Sequence, residues 1–381
     1  MTTQQAICSQ AERMRITSLM QMASLINSSL DPEEIRRTSV NVATSCVGAD
    51  AASLLLIDKC TGELCFEVVT GSKSDYLEHK RMKPGEGIAG WIARRGGAVI
   101  VDDVKKDGRF NPVFDELSGY DTRNMIVVPV YCKGNMLGVL QAINKLEGAF
   151  SEDDLEMLET VANLVGTAME NALLFQEQRE IFLGITTAFA EALEQRDTYT
   201  GGHTHRVRDY SIVIAHQMGL SPEECNEINL SAILHDIGKI GVSDKVLQKP
   251  GKLDHNEFLE MSRHPECGAE ILEHVKSLRN MLGGVRHHHE RFDGNGYPDR
   301  IHGENIPLIA RIISVADAFD AMTSTRAYRN ALPHETALKE LNDCSGKQFD
   351  PLVVAAFVEA YKQGEISSLW NEYSRNASEP C

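Results

Sequence analysis

A two-domain architecture is predicted: an N-terminal α+β domain with an antiparallel sheet and helices, then an all-α domain, the two joined by a long helix. Two observations carry this, and a third places imidazole chemistry in the second half. The chain has 381 residues, more than one hydrophobic core usually serves. Residues 49–145 show strand alternation and hairpin signals, whereas the periodicity from residue 181 onward is helical. Histidine is skewed: of thirteen, only His79 precedes residue 200, and the rest lie between His203 and His334.

The elements follow in order. Residues 11–29 repeat apolar positions at helical spacing, and a second helix starts with Asp31 as N-cap and Pro32 in the first turn. AASLLLID and ELCFEVVT are strand-like around the turn KCTG, PGEGIAGWIARRG is a short helix, and GAVIVDDV is another strand. NMIVVPVY and MLGVLQAINK form a hairpin around Lys133-Gly134-Asn135. A long helix is expected over 152–195, with a stripe of Leu155, Leu158, Val161, Val165, Ala168 and Ala172. That stripe suits either the chain's own sheet or a twin helix in a homodimer. QEQRE at 176–180 has no apolar position and sets the boundary, giving domains 1–178 and 179–381. Beyond it, SPEE at 221–224 and DHNE at 254–257 read as capping boxes, and DP at 350–351 opens a last helix through Tyr361.

Composition narrows the function. Apolar content of 42% and charge of 24% are ordinary for globular proteins. No apolar run approaches a membrane span and no secretory leader is read, so a cytoplasmic protein is expected. Net charge is −17, split as −8 before residue 181 and −9 after, with no basic run to serve a nucleic-acid polymer. Nine cysteines lack CxxC spacing; Cys60 and Cys65 are a weak zinc signal, and free thiols are the better reading.

The second half gathers metal-ligand residue types. TGGHTHRV supplies His203, LHDIGKIG supplies His235, Asp236 and Lys239, and SRHPECG supplies His264. RHHHERFDGNGYP supplies a histidine triplet, and RIISVADAFDAMTS puts Asp317 and Asp320 on an otherwise apolar helix. A carboxylate near a core is costly unless paired or bound to metal, so these positions point to a metal site. Adjacent imidazoles of the triplet diverge by about 100° on a regular helix. They can share one cation only where the helix ends, and DGNGYP, with Gly294, Gly296 and Pro298, supplies that ending.

YTGGH, LHDIGK, HPE, HHERFDGNGYP, VADAFDAMTSTRAYR and QFDP, over residues 185–365, resemble the HD-GYP family of HD phosphohydrolases. The resemblance implies a cyclic dinucleotide phosphodiesterase acting chiefly on cyclic di-GMP, with linear pGpG or GMP as product. It implies that His203, His235, Asp236 and Asp317 hold one divalent metal and that Asp236 bridges to a second, held by His264, His288 and His289. His205, His287 and His302 match no ligand position. Some members carry a Glu four residues before the first His and bind a third metal; Tyr199 stands there, so two metals are expected, with iron or manganese favoured. Lys239, expected one α-helical turn after His235 and on its face, is assigned with Asp236 to catalysis, its ammonium holding a non-bridging phosphate oxygen. Arg326 and Arg329 are expected to hold the nucleotide, and Tyr297 either stacks on a base or packs its loop. A mixed cyclic GMP-AMP substrate, or a weakly active module binding GGDEF-type partners, are the alternatives.

Residues 17–178 resemble a GAF domain, through GEGIAGWIARRG, the VVPV…GVLQAINK hairpin and an NKFD-like set, Asn144, Lys145, Phe150 and Asp154. That set occurs in cyclic-nucleotide-binding GAF domains, and also where it only ties a strand end to the last helix. The resemblance implies control of the second domain by an unidentified small molecule.

Overall fold

The computed structural model describes residues 17, 19–71, 76–196, 202–325 and 330–376. It forms two compact units that divide between Arg179 and Glu180.

The first unit is built on a six-stranded antiparallel sheet ordered β3-β2-β1-β6-β5-β4. The strands are β1 (Ala49–Ile57), β2 (Leu64–Val69), β3 (Arg81–Met82), β4 (Val99–Val101), β5 (Met125–Cys132) and β6 (Asn135–Lys145). The β5–β6 hairpin turns through Lys133 and Gly134, both with positive φ, the geometry that matches strand twist. Alternate strand residues serve two cores because both faces are covered. Leu54, Ile126, Val128 and Leu140 pack with helix α1 (Pro32–Cys46) and with Leu158, Val161 and Val165. Leu55, Phe66, Val127 and Val139 pack with helix α2 (Gly87–Arg95). A short helix, α3 (Val113–Ser118), borders a cavity of about 80 Å³ on that second face, lined by Phe66, Met82, Phe114 and Met125. Its polar lining includes Asn111, Asp115 and Gln141, and Gln141 Nε2 donates to Ser53 Oγ at 2.8 Å.

The apolar stripe on the long helix α4 (Glu152–Glu194) is therefore engaged with its own sheet. The NKFD-like residues tie that helix on. Lys145 Nζ reaches Asp154 at 2.8 Å and the Val47 carbonyl at 2.7 Å, and Asp154 accepts from the Ser151 backbone at 2.9 Å. None of the four lines the cavity.

The second unit is helical: α5 (His203–Gln217), α6 (Pro222–Leu234), α7 (Asp244–Leu247), α8 (His255–Met261), α9 (His264–Leu272), α10 (Leu282–His287), α11 (Leu308–Thr323), α12 (His334–Asp343), α13 (Pro351–Lys362) and α14 (Glu365–Asn376). Both expected capping boxes form, on Ser221–Glu224 and Asp254–Glu257. The last expected helix ends at Lys362, but the chain then turns at Gly364, φ 87°, and adds α14, which buries Ile366. At the centre, Phe319 of α11 meets Tyr210 of α5 and Phe357 of α13, with ring centroids 5.5 and 4.7 Å away. This cluster fixes α11 against α5, and truncating Phe319 to Ala would cost about 3–5 kcal/mol.

Candidate metal centre

Helix ends position most of the imidazoles. His235 caps α6, whose Ile228, Leu230, Ile233 and Leu234 are buried, and its Nδ1 donates to the Ala232 carbonyl at 2.7 Å. His264 follows α8 by three residues and donates to Met261 at 2.8 Å. His288 caps α10 and donates to Val285 at 2.8 Å. In each case Nδ1–H is spent on a carbonyl three residues back, so a neutral ring keeps its lone pair on Nε2.

Those lone pairs converge. Asp236 Oδ1 lies 3.2 Å from His264 Nε2, and Asp236 Oδ2 lies 3.4 Å from His235 Nε2 and 3.8 Å from His203 Nε2. Asp317 Oδ1 is 3.6 Å from the same His203 nitrogen. His264 Nε2 and His288 Nε2 face each other at 3.3 Å, and the His289 ring is 4.1 Å from that of His288. Two groups result, His203/His235/Asp236 and His264/His288/His289, each with its donor atoms within 4.8 Å of one another. His205, His287 and His302 belong to neither; His205 pairs with Glu191, and His287 with Asp299.

These residues fit divalent cations. Two imidazole lone pairs 3.3 Å apart repel unless something positive lies between them. His235 Nε2 is buried with no hydrogen-bond partner. Burial, with neighbouring imidazoles, lowers His288 and His289 well below the ordinary histidine value; His235 is also lowered, chiefly by burial. Neutral imidazole is the ligand form. Burial pushes the Asp236 carboxyl up, but Lys239, His235 and His264 outweigh it and hold it well below its usual range.

The surrounding loops set the spacing. The turn after Asp236 is a 3₁₀ helix, Ile237–Gly241, and it is this turn, not an α-helical turn from His235, that brings Lys239 Nζ to 2.7 Å from Asp236 Oδ2. It lies so close to α9 that a methyl group on Gly238 would come 1.8 Å from the His264 carbonyl oxygen. As expected, α10 stops where two imidazoles must point the same way. The loop then doubles back: Gly294 has φ 80°, and Gly296 passes so near Arg291 and Glu290 that no side chain fits. The Tyr297 ring packs 5.0 Å from that of His289 and 5.9 Å from that of Phe258.

Two carboxylates not assigned a role from the sequence hold this frame. Glu290, buried, accepts from the Asp299 and Arg300 backbone at 2.7 and 2.8 Å and ties the loop to the histidine triplet. Asp320, one turn after Asp317, accepts from His203 Nδ1 at 2.7 Å. A carboxylate inside an apolar helix was the available signal for Asp320; none marked Glu290 beyond its place in the motif. Arg326, Arg329 and Tyr199 lie outside the described residues.

Residues 187–353 match the HD domain family and residues 31–169 match the GAF domain family. The chain thus joins a GAF-like sheet unit to a helical unit of HD type. It is 36% identical over 221 residues to 3′3′-cGAMP-specific phosphodiesterase 2 of Vibrio cholerae, covering 57% of this chain and 42% of that protein. It is 40% identical over 193 residues to a cyclic di-GMP phosphodiesterase response regulator of Xanthomonas campestris, covering 50% of each. A cyclic di-GMP phosphodiesterase of Thermotoga maritima is 41% identical over 191 residues, covering 50% of this chain and 52% of that one. The chain spans about half the length of these relatives. Among the described residues, no helix is long and apolar enough to cross a membrane.

Proposed function

We propose that this protein is an HD-GYP phosphodiesterase that hydrolyses a cyclic dinucleotide at a two-metal site. The observation that carries the reading is Asp236, whose two carboxylate oxygens face different imidazole groups, Oδ1 toward His264 and Oδ2 toward His235 and His203. His203, His235, Asp236 and Asp317 would hold one ion, and His264, His288, His289 and Asp236 the other. The nitrogen and carboxylate donors suit iron or manganese better than magnesium or calcium. Bound there, paired divalent ions supply an activated water and neutralise charge developing on the phosphate.

The chain's own groups do the rest. Lys239 places an ammonium beside the shared carboxylate, where it reaches a non-bridging phosphate oxygen as a charge-assisted donor. Tyr297 braces His289 through ring packing, and Arg326 and Arg329 would hold the nucleotide. Cyclic di-GMP, cut to pGpG, is the favoured substrate; the resemblance to a cGAMP-specific enzyme makes cyclic GMP-AMP the second reading. The test is one assay of anaerobically purified protein, with metal content measured while both dinucleotides are followed to product. Two metals per chain and pGpG as the main product are expected; turnover of neither dinucleotide by metal-loaded protein would refute the assignment.

Regulation is read the same way. The first unit's cavity would take a small molecule, and among the described residues its lining has no Lys or Arg, which favours a neutral ligand over a nucleotide phosphate. A homodimer would use the exposed Ile181, Ile185 and Phe189 of α4, since its earlier stripe is engaged. Cytoplasmic residence fits a substrate made inside the cell.

A further inference from the structure

The histidines of the site are not oriented alike. His235, His264 and His288 each hand Nδ1–H to a carbonyl in the last turn of a helix that has just ended. Among the described residues, His203 Nδ1 meets no such carbonyl. It opens α5, and the helix before it ended at Glu194, whose carboxylate takes the His203 backbone N–H at 2.7 Å. A helix that begins at a residue points its carbonyls away from that residue.

A carboxylate from another helix fills the place. Asp320 is 1% exposed, and its Oδ2 lies 2.7 Å from His203 Nδ1. Its other oxygen accepts from Arg206 Nε, and Arg206 Nη2 adds contacts at 3.2 Å to Asp320 Oδ2 and to Ser324 Oγ. Asp320 is thus turned from the converging Nε2 atoms and its charge is balanced locally, so it is not itself a ligand. Asp317 precedes it by three residues on the same face of α11, so one helix supplies both a donor oxygen and the group that aims the neighbouring ring.

We propose that Asp320 is a positioning residue that fixes the tautomer and direction of His203 and so sets metal retention on the His203/His235/Asp236/Asp317 side of the site, resting on the two-metal reading above. A carboxylate behind an imidazole raises its basicity more than a carbonyl does. The two sides therefore differ: one has a carboxylate-backed ring with Asp317 and Asp236, the other has rings of which at least two are carbonyl-backed, sharing Asp236 alone. Removal of the Asp320 charge weakens one ion and spares the other.

The experiment is titration of metal-stripped full-length protein with Mn²⁺, free ion being counted by electron paramagnetic resonance. The wild-type chain is expected to take two ions. Asp320→Asn is expected to keep one and bind the other about 10- to 100-fold more weakly, the scale of losing such a partner. Asp320→Glu is expected to recover part of the loss, which a merely structural tie between helices would not do selectively at one ion. If Asp320→Asn fails to fold, nitrogen-15 histidine spectra of the wild-type chain decide. They are expected to show His203 protonated at Nδ1, assigned by its loss in His203→Gln. Two ions held by Asp320→Asn with wild-type affinity, or a His203 ring protonated at Nε2 and not at Nδ1, overturns the proposal. A folded wild-type chain that binds no Mn²⁺ overturns the metal reading beneath it as well.

Discussion

Lys145 and Lys239 make nearly the same contact in the two units. One ammonium lies 2.8 Å from Asp154 and the other 2.7 Å from Asp236, with all four side chains between 16% and 20% exposed. Their surroundings differ. Lys145 also donates to Val47, and Asp154 accepts from the Ser151 backbone and hydroxyl, so the pair is closed by neutral partners. Asp236 stands among three imidazoles, one of which has a buried nitrogen without a partner. A lysine–carboxylate pair is a latch where its neighbours complete it, and a candidate for the proposed metal site where they leave donor atoms over. Geometry of the pair alone does not separate the two cases.

The strongest way to break this contrast is Asp236→Ala. Metal content should fall from two ions to none and hydrolysis by about 10³-fold or more, the scale of losing a principal electrostatic group. Elemental analysis beside the product assay measures both, and full metal content with retained turnover would end the bridging role. Next is Lys239→Met, expected to keep both ions yet lose about 10- to 100-fold in kcat/KM, as for one charge-assisted hydrogen bond. An unchanged kcat/KM would make Lys239 a latch like its counterpart.

On the other side, Lys145→Met should lower the stability of the first unit by about 1–2 kcal/mol, read as an earlier urea midpoint for that unit. The smallest effect is in pH. Burial pushes the Asp154 carboxyl up, but Lys145 and Ser151 outweigh it and hold it below its ordinary value. The stabilisation is therefore complete above the unfolded value of about 3.9 and is lost as pH falls through the lower folded value. Lys145→Met should flatten that acid limb in unfolding curves run between neutral pH and about pH 3; an unaltered limb would show that Ser151 alone holds the charge.

Much of this was readable from local chemistry. Ser221–Glu224 and Asp254–Glu257 announce helix starts within four residues, and the HHHERFDGNGYP run announces a helix end beside paired imidazoles. What escaped reading depends on distant partners or on short elements. β3 has two residues, too few to show a period, and Ile237–Gly241 is a 3₁₀ turn that an α-helical count misplaces. Asp320 meets His203 across 117 positions, and no spacing in the chain records which of two nearby aspartates faces inward. Glu290 is set by a loop that folds back over it, a close approach that only coordinates reveal.

Gly238 carries a mechanical consequence. With the His264 carbonyl only 1.8 Å from where its β-carbon would sit, even alanine must wedge the Asp236 turn away from α9. The interval between the two sets of donors is thus gauged by a missing methyl group, and widening it would leave every proposed ligand in place chemically while pulling the Asp236 carboxylate out of reach of one set.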